Sequence, residues 1–352
     1  MTAFLESLAA AIRSGEVEVG DSGEASRLLT EDLRVLHVTP GFVESRHVVG
    51  LFVDRRGRIK AVAKSPRREH DDEGVKHEAI LLTRLHDLAP ELSTTVPAVL
   101  AFTYWHGRPV LVESALVGTA LTHARARRHP RDVASIHEWI AALPVTTRST
   151  GADMLDELLA PALERLRQIT PTNHPLRDIA VRTEQLLHPL HEVELPRPFE
   201  HGDPSHPNLL VSKDGHARVV DWELARENGA PGHDLAFFLG FTAFSRRNAH
   251  GVPAELTAFR DAFLRPGAPE AADFTRRLHG AGVDASVSGP LFALAWARAS
   301  LRLIERLAPD LESLSGDARA RVLADLEASR NTTLWLAAVT AGDGVMGVTQ
   351  LA

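Results

Sequence analysis

Short apolar runs and longer periodic stretches divide the chain into a strand-rich first part and a helical second part. Up to about residue 118, valine-rich runs bounded by turns are typical of β-strands, and they surround one helical stretch. Beyond Gly118, apolar positions recur every three to four residues, which predicts helices. The predicted strands cover 34–39, 46–53, 58–65 and 109–114, and the predicted helices cover 72–88, 132–142, 153–169, 176–193, 233–245, 254–265, 290–307 and 317–340.

Two further elements complete this pattern. The apolar spacing of residues 4–12 predicts a short amphipathic helix at the N-terminus. Within the helical part, two short apolar runs in 209–221 predict a hairpin turned by Lys213-Asp214-Gly215. We therefore expect an α+β fold with a small β-rich N-terminal lobe, residues 1–115, and a larger helical C-terminal lobe, residues 116–352.

The composition is that of an ordinary globular protein, and it excludes several kinds of chemistry. Of 352 residues, 44% are hydrophobic and 24% are charged, with a net charge of −7 and no cysteine. Thiolate catalysis, cysteine-ligated metals and disulfides are therefore excluded. The acidic balance gives no general reason to expect a nucleic-acid partner. The run 334–339 falls far short of the roughly 20 residues that span a bilayer, and the N-terminus does not resemble a signal peptide. We expect a cytoplasmic protein without a membrane partner.

The densest group of chemistry-bearing residues lies between 201 and 223. His201-Gly202-Asp203-Pro204-Ser205-His206-Pro207-Asn208 is a shaped loop, since two prolines and a glycine disfavour regular structure, and Asp221 follows the next apolar run. The oxygens of Asn208 and Asp221 suit a hard cation such as Mg²⁺, which leaves Asp203 to orient and deprotonate a hydroxyl. Either carboxylate alone would favour a polar turn, but their joint spacing favours the functional interpretation.

This spacing resembles the aminoglycoside phosphotransferase and choline-kinase-like family, in which H-G-D-x-x-x-x-N precedes a strand ending in D-W/F/Y-E. Asp203 stands five residues before Asn208 and eighteen before Asp221. The resemblance implies a two-lobed protein-kinase-like fold with ATP and Mg²⁺ as cofactors. It also implies that Asp203 is the catalytic base or substrate-orienting carboxylate, and that Asn208 and Asp221 hold the metal. Gly202, where protein kinases have arginine, favours a small-molecule kinase.

The family also has a lysine on its third strand and a glutamate on the following helix. Ala61-Val62-Ala63-Lys64 matches the lysine strand, and Lys64 is one of four lysines among 39 basic residues. Glu78 lies on the apolar stripe of the predicted helix, where an unpaired carboxylate would be too costly, so a cation should meet it. The resemblance makes Lys64 that cation. The alternative is that Glu78 lies at the edge of the stripe and reaches water.

The resemblance places two more nucleotide-binding segments. Residues 39–46 would cover the phosphates, with Ser45 and the backbone near Gly41 in contact with them. This stretch contains one glycine, and a plain hairpin loop is the alternative. At the hinge, backbone groups near Glu113 and Ala115 would bond adenine.

Four further features of the sequence have structural interpretations. Asp234 lies in Gly229–Ala236, which resembles the family's G-x-P-x-x-D-L-A, and we expect it to cap its helix and brace the loop. We expect His201 to be a packed loop histidine. The arginine-rich run 123–131 is typical of a solvated connection, and Arg298 is predicted as a surface position of an amphipathic helix.

Together these residues predict an ATP-dependent O-phosphotransferase that acts on a hydroxyl of a small polar molecule. An aminoglycoside or another antibiotic or natural product is our first choice of acceptor, and a sugar or a choline-like amino alcohol is the alternative. Residues 151–200 contain nine acids and five arginines, which suits a cationic substrate, although a solvated helical surface explains the charges equally well. A nucleotide-binding pseudokinase and a metal-ion hydrolase built on His201, Asp203 and His206 are alternatives from other classes.

Overall fold

The computed structural model of the protein describes residues 2–18, 33–38, 47–67, 72–308, 311 and 314–341. Contacts group the chain into two units. Unit 1 comprises Met1–Ala120 and Pro207–Ala225, and unit 2 comprises Leu121–His206 and Arg226–Ala352. None of the helices within the described ranges is long and apolar enough to cross a membrane.

Unit 1 contains a five-stranded antiparallel sheet. Its strands are β1 (Arg34–Val38), β2 (His47–Val53), β3 (Ile59–Pro66), β4 (Val99–Trp105) and β5 (Arg108–Ser114). The strand order is β1-β2-β3-β5-β4, and the four strands predicted from sequence are confirmed. Strand β4 is not among the strands predicted from sequence. This strand turns into β5 through His106 and Gly107, whose φ angles of 46° and 76° are those of a tight hairpin turn. Histidine is not one of the residues that mark such a turn in sequence.

Helix α1 (Thr2–Ser14) packs its apolar face on this sheet. Leu5 and Leu8 are fully buried in one cluster with Phe52 of β2, as the amphipathic spacing predicts. Gly50 of β2 allows the close approach, because a Cβ atom there would stand 2.5 Å from Leu5 Cδ1. The N-terminal helix is therefore an integral part of the core of unit 1.

The hairpin predicted near residue 213 forms a second sheet of unit 1. The short strand β6 (Thr119–Ala120) pairs with the first strand of the hairpin, Leu209–Val211, whose partner is Ala217–Val219. Directly after the hairpin, the N–H of Val220 donates to the carbonyl of Asn208 (3.0 Å). Backbone pairing therefore fixes the position of Asn208 and places Asp221 directly after a paired residue.

The described part of unit 2 is mainly helical and contains a two-stranded sheet. The strands of that sheet are β7 (Val145–Thr150) and β8 (Glu194–Pro198), so the hairpin strands of unit 1 are β9 and β10. The helices, after α2 (Asp72–Leu88) of unit 1, are α3 (His123–Arg128), α4 (Pro130–Ala141), α5 (Gly151–Leu158), α6 (Ala160–Ile169), α7 (Pro175–Leu187), α8 (His233–Arg247), α9 (Val252–Phe259), α10 (Pro269–Gly280), α11 (Ser288–Leu307), α12 (Gly316–Ala328) and α13 (Arg330–Thr340). Aromatic side chains of α8, α9 and α11 pack together in its core.

Three local predictions for unit 2 are wrong. The basic run after Thr122 forms α3 and not a loop, because the Thr122 hydroxyl accepts the N–H of Arg125 at the first turn. The predicted helix 153–169 is two helices, since Pro161 lies in the first turn of a new one. The predicted helix 317–340 is interrupted at Ser329, whose hydroxyl caps the second segment.

Within α2, burial differs sharply between neighbouring apolar positions, which gives a test of the packing. Leu82 is fully buried, whereas Ile80 is 57% exposed. We expect Leu82→Ala to lower the free energy of unfolding by about 3 kcal/mol, because it removes buried methyl groups and leaves a cavity. Ile80→Ala, on the same helix, should change it by less than about 1 kcal/mol. Urea unfolding of both variants measures the difference, and equal losses would contradict this packing.

Candidate active site

A buried ion pair between β3 and α2 lies at the centre of the candidate site in unit 1. Lys64 Nζ stands 2.5 Å from Glu78 Oε1, and both side chains are almost completely buried. Leu81, Leu82 and Leu85 are buried on the same helix, so the apolar stripe carries Glu78 inward as predicted. The partner that the sequence requires for this carboxylate is Lys64.

The same glutamate oxygen also holds the backbone beside Asp221. Glu78 Oε1 accepts the N–H of Trp222 (2.8 Å), and the Trp222 ring is fully buried. At Asp221 the chain turns through φ +70°, a left-handed conformation that aspartate tolerates better than most residues. Glu78 therefore fixes both the lysine and the turn that carries Asp221.

Two more carboxylates face Lys64. Its Nζ lies 3.3 Å from Glu113 Oε1 and 3.6 Å from Asp221 Oδ1. Burial favours the neutral amine, but the carboxylates of Glu113, Glu78 and Asp221 outweigh it and hold the pKa of Lys64 well above its usual range. Burial also raises the pKa of Glu113 to about 7, although the Lys64 ammonium opposes the rise. Three carboxylates around one ammonium leave an excess of negative charge.

The residues predicted to hold Mg²⁺ lie on adjacent backbone segments. Asn208 precedes β9, and Asp221 follows β10 after the pairing of Val220 with Asn208. Their carboxamide and carboxylate oxygens are ligands of the kind that Mg²⁺ prefers, and the negative excess around Lys64 also favours a divalent cation. Within the described ranges, no cluster of three His, Cys, Asp or Glu side chains could hold a metal by itself. If Mg²⁺ binds here, Asn208 and Asp221 would supply two of its oxygen ligands, and phosphate oxygens would supply others.

Asp203 lies in unit 2, on a loop that we call the HGD loop (residues 201–206). Its side chain is partly exposed, and its Oδ1 accepts the hydroxyl hydrogen of Ser205 (2.7 Å). His201 is fully buried, and its Nδ1 accepts the N–H of Asp203 (3.2 Å). The histidine is therefore packed, as predicted, and this use of its Nδ1 does not favour the alternative metal-ion hydrolase site.

The carboxylate of Asp234 braces the HGD loop. Its two oxygens accept the N–H groups of His201 (2.7 Å) and Gly202 (2.8 Å), which confirms the predicted bracing. The predicted capping is wrong, because the N-cap residue of α8 is Gly232 and no side chain caps that helix. Burial raises the pKa of Asp234 to about 7, and the two backbone N–H groups oppose the rise.

Arg298 is the main correction in unit 2. It is 3% exposed and not a surface residue, and its guanidinium forms two hydrogen bonds of 2.8 Å with the buried Glu200. The signal was present in the sequence, since Leu294, Arg298 and Leu301 lie on one stripe of α11. Like Glu78, this arginine is a charged residue on an apolar stripe, where a partner of opposite charge is required.

The other predicted nucleotide contacts stay predictions. Gly41 and Ser45 lie outside the described residues. The N–H of Ala115 is directed to the carbonyl of Lys60 (3.4 Å). Only the backbone of Glu113 is a predicted nucleotide contact, but its side chain is buried against Lys64, a contact that is not predicted from sequence. A glutamate at the end of an apolar strand gives no sign of whether it points inward.

The raised pKa of Glu113 predicts a pH dependence of stability. The folded state binds the proton of the Glu113 carboxyl group more tightly than the unfolded chain does, where the pKa of this group is about 4.3. The resulting stabilisation is complete below that value and is lost as the pH rises through about 7. The side chain in Glu113→Gln is neutral at every pH. The melting temperature of this variant minus that of the unmodified protein should therefore increase between pH 5 and pH 8.

Melting curves at several pH values measure this difference. The limiting slope is about 1.4 kcal/mol of unfolding free energy per pH unit. Glu91→Gln, at an exposed position of the same unit, controls for buffer effects. A difference between Glu113→Gln and the unmodified protein that stays constant or falls with pH would contradict the environment described for Glu113.

Comparison with known proteins identifies the family. A sequence model of the phosphotransferase enzyme family matches residues 51–274, whereas no curated protein matches the chain. Among solved structures, the chain is similar to a Plasmodium vivax ethanolamine kinase, at 12% identity and a TM-score of 0.53, over 84% of this chain and 81% of that one. It is also similar to a thermostable mutant of the aminoglycoside phosphotransferase APH(4)-Ia in ternary complex with AMP-PNP and hygromycin B, at 16% identity and a TM-score of 0.50, over 84% and 93%. A choline/ethanolamine kinase family protein from Mesorhizobium loti is 16% identical, with a TM-score of 0.49, over 96% and 99%.

The two structures with the higher TM-scores share the fold of this chain. The family match covers well over half of the sequence and includes Lys64, Glu78, Asp203, Asn208 and Asp221. The predicted α+β, protein-kinase-like fold is therefore confirmed. The chain belongs to the phosphotransferase enzyme family and is a small-molecule kinase.

Proposed function

We propose that this protein transfers the γ-phosphoryl group of ATP, with Mg²⁺, to a hydroxyl of a small polar molecule. The observation that carries the proposal is the double role of Glu78, whose Oε1 accepts both Lys64 Nζ and the N–H that follows Asp221. One carboxylate thereby holds a phosphate-binding cation and a metal-binding carboxylate in fixed relation. A structural ion pair alone would not require the second contact.

In this proposal each charged side chain of unit 1 has a separate role. Lys64 binds phosphate oxygens, and Glu78 orients Lys64. Asn208 and Asp221 would hold Mg²⁺, which neutralises charge on the phosphates when it is bound. Because all these groups are held in place before the reaction, they stabilise the developing charge without reorganisation.

Asp203 acts on the acceptor. Its carboxylate accepts a hydrogen bond from the acceptor hydroxyl and orients that oxygen toward the γ-phosphorus. A bond forms between the hydroxyl oxygen and phosphorus, the bond from phosphorus to the leaving oxygen of ADP breaks, and the hydroxyl proton passes to the carboxylate. The hydrogen bond from Ser205 restricts the rotation of the Asp203 side chain.

The charge of residues 151–200, which contain nine acids and five arginines, supports an acceptor that carries amino groups. Eight of the nine acids in 151–200 are exposed, and Glu200 is the exception. A negatively charged surface attracts cationic substrates. We therefore keep an aminoglycoside or another aminated natural product as the first choice of acceptor, with a choline-like amino alcohol or a sugar as the alternative.

An ADP-release assay with pooled aminoglycosides, other antibiotics, amino alcohols and sugars tests the proposal. With the acceptor found in this way, Asp203→Asn should lower kcat by about 10²–10⁴-fold, because the proton loses its acceptor. Binding of Mg·ATP should be unchanged, since Asp203 does not contact the nucleotide in this proposal. Asp214→Asn, at the exposed hairpin turn, is the matched control and should keep full activity.

Two results would contradict the proposal. One is an Asp203→Asn variant as active as the Asp214→Asn control. The other is Mg·ATP binding without ADP release for any acceptor pool, which would favour the pseudokinase.

A further inference from the structure

Glu200 is a buried carboxylate that phosphoryl transfer itself does not use. It immediately precedes the HGD loop and is 1% exposed. Its Oε2 accepts Arg298 Nη1 (2.8 Å) and the N–H of Ala230 (3.0 Å), and its Oε1 accepts Arg298 Nη2 (2.8 Å). The planar, paired contact with Arg298 is the strongest form of such an ion pair, and it neutralises the carboxylate by itself.

A second arginine, one turn further along α11, also reaches Glu200. Arg302 Nη2 donates to Glu200 Oε1 (2.9 Å). Burial and the neighbouring Arg298 lower the pKa of Arg302 to about 10. Since Arg298 already satisfies Glu200, neutralising that carboxylate does not explain why a second guanidinium, on a side chain only 13% exposed, stands beside the first.

The remaining contact of Arg302 explains its position. Its Nη1 donates to the carbonyl of Gly202 (2.6 Å), the residue directly before Asp203, and Nε2 of the buried His233 lies 3.3 Å from the same oxygen. The N–H of Gly202 donates in turn to Asp234 Oδ1 (2.8 Å). Both polar groups of the Gly202 backbone are therefore held by charged side chains. The φ of Gly202 is +91°, a conformation that glycine adopts more readily than any residue with a Cβ atom.

We propose that Arg302 is a positioning residue for phosphoryl transfer, which acts by holding the Gly202 carbonyl and so fixes the direction of the Asp203 carboxylate. Glu200 orients Arg302, and Arg298 neutralises Glu200. The inference rests on the proposed role of Asp203. It deepens that role, because it names the part of the helical unit that sets the geometry of the loop.

Arg302→Gln tests this assignment against a matched control. The variant loses the charge and the contact with Gly202, and we expect kcat to fall by about 10–100-fold, since small misplacements of reacting groups have effects of this size. The KM for Mg·ATP should stay within about twofold, because unit 1 holds the proposed nucleotide contacts. Arg302→Lys keeps the charge but not the planar fork, and it should give an intermediate kcat.

Arg247→Gln provides the control. Arg247 pairs with the buried Glu270 at 2.8 Å, at the end of α8 opposite to the one that carries Asp234. Loss of this pair should destabilise unit 2 without changing kcat. If Arg302→Gln and Arg247→Gln have the same kcat at a temperature where both are folded, the assignment is overturned.

Amide hydrogen exchange gives a readout that does not need activity. In Arg302→Gln, peptides that contain residues 201–203 should exchange faster than in the unmodified protein, whereas Arg247→Gln should leave them unchanged. If the unmodified protein transfers no phosphoryl group, the proposed function fails, but this comparison still tests whether Arg302 holds the loop. Equal exchange in the two variants would overturn the inference, even for an active enzyme.

Discussion

The burial of Lys64 is the constraint on which the candidate site depends. An ammonium group inside a protein is costly unless carboxylates compensate for it, and here Glu78, Glu113 and Asp221 do so. Removing one partner of such a buried pair costs about 3–5 kcal/mol. The requirement ties β3, α2, β5 and the turn after β10 to one another. The architecture of unit 1 is therefore coupled to the charge of one side chain.

The same device recurs in unit 2. Glu78 accepts a cation and the backbone N–H of Trp222, and Glu200 accepts two arginines and the backbone N–H of Ala230. In each unit a buried glutamate binds a cationic side chain and also accepts a backbone N–H, and the second contact holds that backbone segment in place. Hydrogen bonds to charged groups are stronger than neutral ones, and their direction is more restrictive. Both glutamates stand beside a segment that carries a proposed functional aspartate.

Much of this arrangement could be predicted from sequence, because part of the signal is local. The apolar stripe around Glu78 required a cation, and the spacing of Asp203, Asn208 and Asp221 identified the loop and the hairpin. The pairing of Arg298 with Glu200 could not be predicted in this way, since the two residues are 98 positions apart and only the packing of α11 brings them together. A charged residue on an apolar stripe shows that a partner exists, but it does not name the partner.

The missed strand and the broken helices have different causes. The turn between β4 and β5 contains His106, whereas asparagine or aspartate at this position would have indicated a hairpin. The interruption at Ser329 depends on a hydroxyl that competes for the backbone N–H of Thr332. At both positions two backbone conformations are sterically permitted, and hydrophobic periodicity does not predict which one forms.

We propose that the carboxylates around Lys64 form a nucleotide site that requires a divalent cation. Calorimetric titration of AMP-PNP, with Mg²⁺ and then with EDTA, measures this requirement. We expect measurable binding only with Mg²⁺, because free phosphates would meet an excess of negative charge, and we expect Asp221→Ala to lose this binding. Equal affinity in EDTA, or unchanged Mg²⁺-dependent binding by Asp221→Ala, would contradict a cation-dependent nucleotide site at these residues.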